Sequence, residues 1–162
     1  MHRAQPGESA DRVNRSASAG EQRSVNRSVI LRVLTAAALV GIAVVHLSIA
    51  GNYAGLGKHP LALSDQFYAQ AVIASVLALA LLVRPYLLVW LAAAGFAAGS
   101  LAVLVYSRSN CLPIYGFDGC FSENWSVEGA KNAAYFETAA LLLAAVGALT
   151  VRRRRRVTRV SA

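Results

Sequence analysis

Four long apolar runs separated by short polar breaks make up most of the chain, covering about 29–50, 67–83, 86–106 and 132–151. Each approaches the roughly 20 residues that a helix needs to cross the hydrocarbon core of a bilayer. The last run anchors the pattern, because it carries Glu137 within it and ends directly on the five consecutive arginines Arg152 to Arg156. The first is interrupted only by Arg32, close enough to its end for the side chain to snorkel into headgroups. The second is short, so its helix either stands nearly upright or begins a few residues earlier. Tyr86 and Trp90 open the third, which then runs to Tyr106 without a charge.

The expected fold is therefore an all-α membrane protein: a single four-helix transmembrane bundle, up and down, over 29–151. Composition agrees, since 56% apolar and 15% charged residues in 162 are too apolar for a soluble domain and leave room for one domain only. The segment 1–28 mixes Arg3, Arg12, Arg15, Arg23 and Arg27 with Ser, Asn, Gln and Gly. Having no apolar periodicity, it is expected as a disordered basic tail, with 152–162 as a second basic tail.

Thirteen of the sixteen Lys and Arg residues lie at or before Arg32, in the Arg84 turn, or after Val151, whereas only Lys58, Arg108 and Lys131 fall in the other connections. That asymmetry predicts a multi-pass protein of the plasma membrane with both termini cytoplasmic. The net charge of +8 sits in the tails instead of on a face interleaved with aromatics, which argues against nucleic acid and for attraction to an anionic inner leaflet. Ser48, Ala50 and Gly51 resemble a signal-peptidase site, but the apolar run is longer than a signal core and the polar region before it is long, so an uncleaved anchor is expected.

The connections differ in kind. Residues 51–66, with three glycines, Pro60 and Asp65, read as an outside loop, and Arg84 with Pro85 as a tight cytoplasmic turn. The stretch 107–131 is long, rich in turn formers and in Tyr115, Phe117, Phe121 and Trp125, and is expected to fold back over the membrane surface. It holds the only cysteines, Cys111 and Cys120, whose spacing matches neither a zinc site nor a CxxC pair. A disulfide that pins this outer loop is expected, stabilising it by roughly 2 to 3 kcal/mol. In the third span Gly95 and Gly99 form a GxxxG, extended by the small residues Ala92 and Ser100, which predicts close approach to a neighbouring helix of the bundle ahead of a dimer face.

Depth along the helices brings the candidate chemistry together. At about 1.5 Å per residue, His46 lies about 6 Å inside the outer edge of its span, while Gln70 and Glu137 lie at a similar level, and Arg108 stands just above. An ionised group in hydrocarbon costs a few kcal/mol or more unless it turns inward and finds a partner. Glu137 is thus expected to pair with His46, Arg108 or both, with Gln70 bonded into the same cluster. Two readings stand: a ligand, ion or proton site open to the outside, or a polar clasp that fixes helix register.

Familiar catalytic routes lack their parts. One intramembrane histidine cannot supply the pairs a haem needs, and of the Ser and His pair or the paired aspartates that an intramembrane protease would need, no aspartate lies in the spans. No Walker or Rossmann glycine pattern occurs. No cofactor and no metal are expected. A small multidrug transporter also has four spans and a membrane glutamate, but its carboxylate belongs in the first helix.

Short motifs, His46-Leu47, Tyr68-Ala69-Gln70-Ala71, Ala98-Gly99-Ser100, Tyr106-Ser107-Arg108, Leu112-Pro113 and Glu137, resemble those of small, uncharacterised four-helix integral membrane proteins of high-GC bacteria. The resemblance covers about 29–151 and implies that His46, Gln70, Arg108 and Glu137 act as a set, but it brings no activity with it, and the cysteine pair departs from its pattern. The expected function is a non-catalytic membrane component that binds a partner protein or a lipid-soluble ligand through the outer cluster and the 107–131 loop, with a homo-oligomer as one form of that partnership. The alternative is a small transporter-like or proton-coupled protein using Glu137 and His46.

Overall fold

The computed structural model describes the backbone of residues 6–116, 118–123 and 128–160, and the side chains of 26–116, 118–123 and 129–153. Its four α-helices are α1 (Pro6–Ala50), α2 (Leu63–Val83), α3 (Leu87–Ser109) and α4 (Glu128–Val160). Four segments are long and apolar enough to cross a membrane, Asn26–Tyr53, Leu63–Val83, Leu87–Ser109 and Gly129–Arg153, the first running past α1 through the short 3-10 turn Gly51–Tyr53. All four expected runs are present, each extended at one end or both. The second begins at Leu63, where Ala62 leaves the extended region and Asp65 in the first turn complements the helix dipole.

From Pro6 to Ser28 the first basic segment, expected as a disordered tail, continues α1 as helix; the second, expected only as a basic tail, continues α4 to Val160, and residues 1–5, 161 and 162 lie outside the described backbone. Composition argued against a helix that must nucleate by itself, whereas a helix prolonged from an existing span carries no nucleation cost. Pro6 sits at the first helical position, where its fixed φ and missing N–H are harmless.

Small side chains face inward and large ones outward. In α4, Ala130, Ala133, Glu137, Ala140, Ala144 and Ala148 are buried at steps of three and four residues, one face of a helix. Ala71, Ala74, Ala78 and Leu81 of α2, Trp90, Ala93 and Ala97 of α3, and Ala36, Leu39, Ile42 and Ala43 of α1 meet that ladder. Leu79, Val83 and Leu88 are among the many large apolar residues left exposed, an inverted distribution that lipid as solvent permits. Helix α1 packs against α2 and α4, and α3 against α4.

The closest approaches use glycines that form no motif. A Cβ on Gly147 would collide with the Trp90 ring of α3, and one on Gly41 with the Phe136 ring of α4. Gly95 and Gly99, expected at a tight seam, are exposed, with nothing within 4 Å of where a Cβ would sit. The seam of α3 runs instead through Trp90, Ala93 and Ala97, a face the same small-residue spacing could equally have marked.

At the end opposite the Arg84 turn, the two loops close over the helices. A short hairpin pairs Leu112 with Phe121 and Pro113 with Cys120, and the Cys111–Cys120 disulfide ties it, with Cα atoms 5.2 Å apart. Ile114 enters a second apolar cluster with Ala50, Leu63 and Phe67. The Lys58 amide donates to Tyr115 O at 3.0 Å, joining the α1–α2 loop to the hairpin. Folding back of the long loop is thus seen for Ile114 and Phe121; Tyr115 is exposed, and Phe117 and Trp125 lie outside the described residues.

Candidate functional site

One polar residue from each helix meets its neighbours at the loop end. Ser100 of α3 donates to Glu137 Oε1 of α4 at 2.6 Å and lies 3.0 Å from Gln70 Oε1 of α2. His46 Nε2 of α1 lies 3.8 Å from the same Glu137 oxygen. His46 and Glu137 are buried, at 4% and 1% exposure, because each takes a place in a buried helical stripe: His46 after Ile42, and Glu137 between Ala133 and Ala140. They meet because the registers of four helices agree.

Proton arithmetic limits the states of this chain. A hydroxyl has one proton, so Ser100 cannot donate to both carbonyl-type oxygens at once. Either the Glu137 carboxyl carries a proton and donates to Ser100, which donates on to Gln70, or the Gln70 amide turns over and donates to Ser100, which donates to the carboxylate. The imidazole is more constrained. His46 Nδ1 donates to Ile42 O at 2.8 Å, an oxygen that can only accept, so a neutral ring presents a bare Nε2 toward Glu137. The 3.8 Å between Nε2 and Oε1 is longer than a hydrogen bond.

Glu137 Oε2 is buried and has no protein hydrogen-bond partner among the described residues. Its residue lines a cavity of about 50 Å³, together with His46, Phe67, Gln70, Ser100, Ser107, Glu123, Ala130 and Ala133. At roughly 10–15 Å³ for each water-sized position, that space holds about four. Phe67 packs against His46 with ring centroids 5.5 Å apart, Tyr53 against Phe67 at 5.0 Å, and Phe121 against Tyr53 at 5.5 Å. This aromatic row connects the disulfide hairpin to the imidazole.

The candidate residues named from the sequence separate into two groups. His46, Gln70 and Glu137 line the cavity; Arg108 does not. Arg108 is exposed in the last turn of α3, because the buried position there is Ser107 and the next residue is rotated by about 100°. Three polar cavity residues, Ser100, Ser107 and Glu123, were missed. Ser100 was counted only as a small packing residue, although it lies nine residues before the end of α3, as Glu137 lies nine after the start of α4. Glu123 belongs to the loop, where depth has no meaning before folding; its amide donates to Ser107 O at 3.0 Å and brings it to the cavity.

Four spans of sufficient length and apolarity define a multi-pass membrane protein with a polar pocket between its helices. No family model, curated protein or solved structure matches the chain.

Proposed function

We propose that this protein is a non-catalytic membrane component whose loop end faces outside and takes a small polar ligand into the cavity around Glu137. The orientation rests on the thirteen to three distribution of Lys and Arg, which puts the Arg84 turn and both termini in the cytoplasm. The observation that carries the reading is Glu137, a buried side chain that lines a cavity and whose Oε2 has no protein hydrogen-bond partner among the described residues. Leaving such a group unsatisfied costs on the order of 1–3 kcal/mol, and a pure clasp would be expected to bond both oxygens. The pair of His46 and Glu137 also suits the proton-coupled alternative. That alternative needs a route onward, and Leu39, Ile42, Leu81, Trp90 and the alanine ladder fill the other half of the interior.

Because Cys111 and Cys120 are joined, a newly introduced cysteine is the sole free thiol. Ala133→Cys should react with a small, membrane-impermeant, cationic methanethiosulfonate added outside intact cells, whereas Ala144→Cys, in the packed ladder, should stay unreactive. A folded Ala133→Cys protein that reacts no faster than Ala144→Cys would remove the case for a site open to the outside.

A further inference from the structure

We infer that His46, Gln70, Ser100 and Glu137 form one directional proton relay, in which the end that holds a proton sets the direction of every hydrogen bond between α1 and α4. The relay belongs to the wall of the cavity and stands whether or not a ligand enters. Three contacts make the chain: Glu137 Oε1 with Ser100 Oγ at 2.6 Å, Ser100 Oγ with Gln70 Oε1 at 3.0 Å, and the Gln70 side chain with His46. His46 Nδ1 is committed to Ile42 O at 2.8 Å, so Nε2 of a neutral ring can only accept. Gln70 then gives its NH2 to Nε2, its oxygen is left for the Ser100 hydroxyl, and Ser100 has only its own oxygen to offer Glu137. At its end the chain needs a donor, which is a protonated Glu137 carboxyl. The same assignment accounts for Oε2, which becomes the carbonyl oxygen of a neutral acid; at 1% exposure such a group costs less to leave unbonded than half of a carboxylate.

The opposite direction is the only other one in which every link sets a donor against an acceptor. A proton arriving from water at Nε2 makes the imidazole a donor, and the Gln70 amide turns to meet it with its oxygen. Its NH2 then donates to Ser100, whose hydroxyl swings to donate to Glu137 Oε1, and Glu137 can release its own proton to water. No covalent bond of Gln70 or Ser100 breaks; one proton is gained at His46 and one is given up at Glu137. A neutral ring with an ionised carboxyl would instead set two acceptors face to face at one link. Along the cavity wall α1 contributes the titratable His46, α4 Glu137 and the loop Glu123, whereas α2 and α3 contribute Gln70, Ser100 and Ser107, which do not titrate near neutral pH. None of the neighbouring groups enters the chain: Glu123 has a partner of its own, Ser107 donates to Leu104 O, Tyr53 packs on Phe67, and Arg108 and Lys131 are exposed.

Infrared and nitrogen NMR spectra of the full-length protein in mild detergent test the relay with no ligand present. At neutral pH the carbonyl stretch of a protonated carboxyl with an unbonded carbonyl oxygen should be present and should vanish in Glu137→Gln, while His46 should be neutral with its proton on Nδ1. As the pH is lowered until His46 is charged, the Glu137 band should be lost from that position, because Oε1 now accepts from Ser100 or the acid has ionised. Ser100→Ala, which cuts the chain, should keep the band in place as His46 becomes charged, and Ser100→Thr should restore the loss. An ionised Glu137 beside a neutral His46 at neutral pH would overturn the relay. So would a band indifferent to the charge on His46, or a Ser100→Ala protein that responds like the unmodified one. If Ser100→Ala does not fold, the unmodified protein decides by the first two of these results. None of them depends on the reactivity of Ala133→Cys, so the relay and the reading of the cavity as a ligand site fail separately.

Discussion

The two halves of the helical interior are built on the same four registers, and they differ in almost everything else. Toward the Arg84 turn, buried positions are occupied by alanines, Leu39, Leu81 and Trp90, with Gly147 making room for the indole. Toward the loops, the same stripes continue through His46, Gln70, Ser100 and Glu137, around a cavity that Glu123 of the disulfide-tied loop helps to line. Small side chains let the first half hold together through close backbone approach, the contact that works where lipid is as apolar as leucine. The second half cannot close in that way, because an ionisable residue needs partners and room. One half is a seam and the other a site, and the change of side chains within a single stripe marks the border.

The comparison predicts different responses. The largest effect should come from Trp90→Ala, which empties the packed half at the Gly147 contact and should cost about 3–5 kcal/mol in reversible unfolding in detergent. A loss under about 1 kcal/mol would show that the seam is looser than described. Next, replacing both Cys111 and Cys120 by Ser should cost about 2–3 kcal/mol. Hydrogen exchange should rise in the 110–123 loop and around His46 while the amides of Ala140 to Ala148 stay protected. Exchange rising equally in both halves would break the division between them. The smallest effect belongs to Gly99→Leu, which projects into open space and should change unfolding by no more than about 0.5 kcal/mol. The same substitution at Gly147 should not be tolerated, and comparable outcomes at the two glycines would contradict the assignment of the packed face.

Much of this architecture was legible because lipid imposes strong constraints on sequence. Apolar length gave four spans, and depth alone put His46, Gln70 and Glu137 in one layer. Depth carries no rotational information, however, and Arg108 shows the consequence: it is near the right level but one residue past the buried position of α3. Gly95 and Gly99 do not meet a neighbouring helix of the same chain for a related reason, since they share their spacing with Ala93 and Ala97, and nothing local says which pair does. Gly41 and Gly147 gave no signal because the rings that need their missing Cβ atoms, Phe136 and Trp90, come from other helices. The hairpin strands, two residues each, are too short for alternation to register. Helical tails from a polar composition show the reach of a neighbouring span over a sequence that would not fold alone.

The account depends on a hydrogen-bonded contact between α3 and α4 inside the membrane, at Ser100 and Glu137. A double-mutant cycle with Ser100→Ala and Glu137→Gln, read from reversible unfolding in detergent, measures it directly. A coupling of about 1 kcal/mol or more between the two positions is predicted. Additivity within about 0.3 kcal/mol would mean that the two side chains do not sense each other, and the polar chain through the four helices would have to be given up.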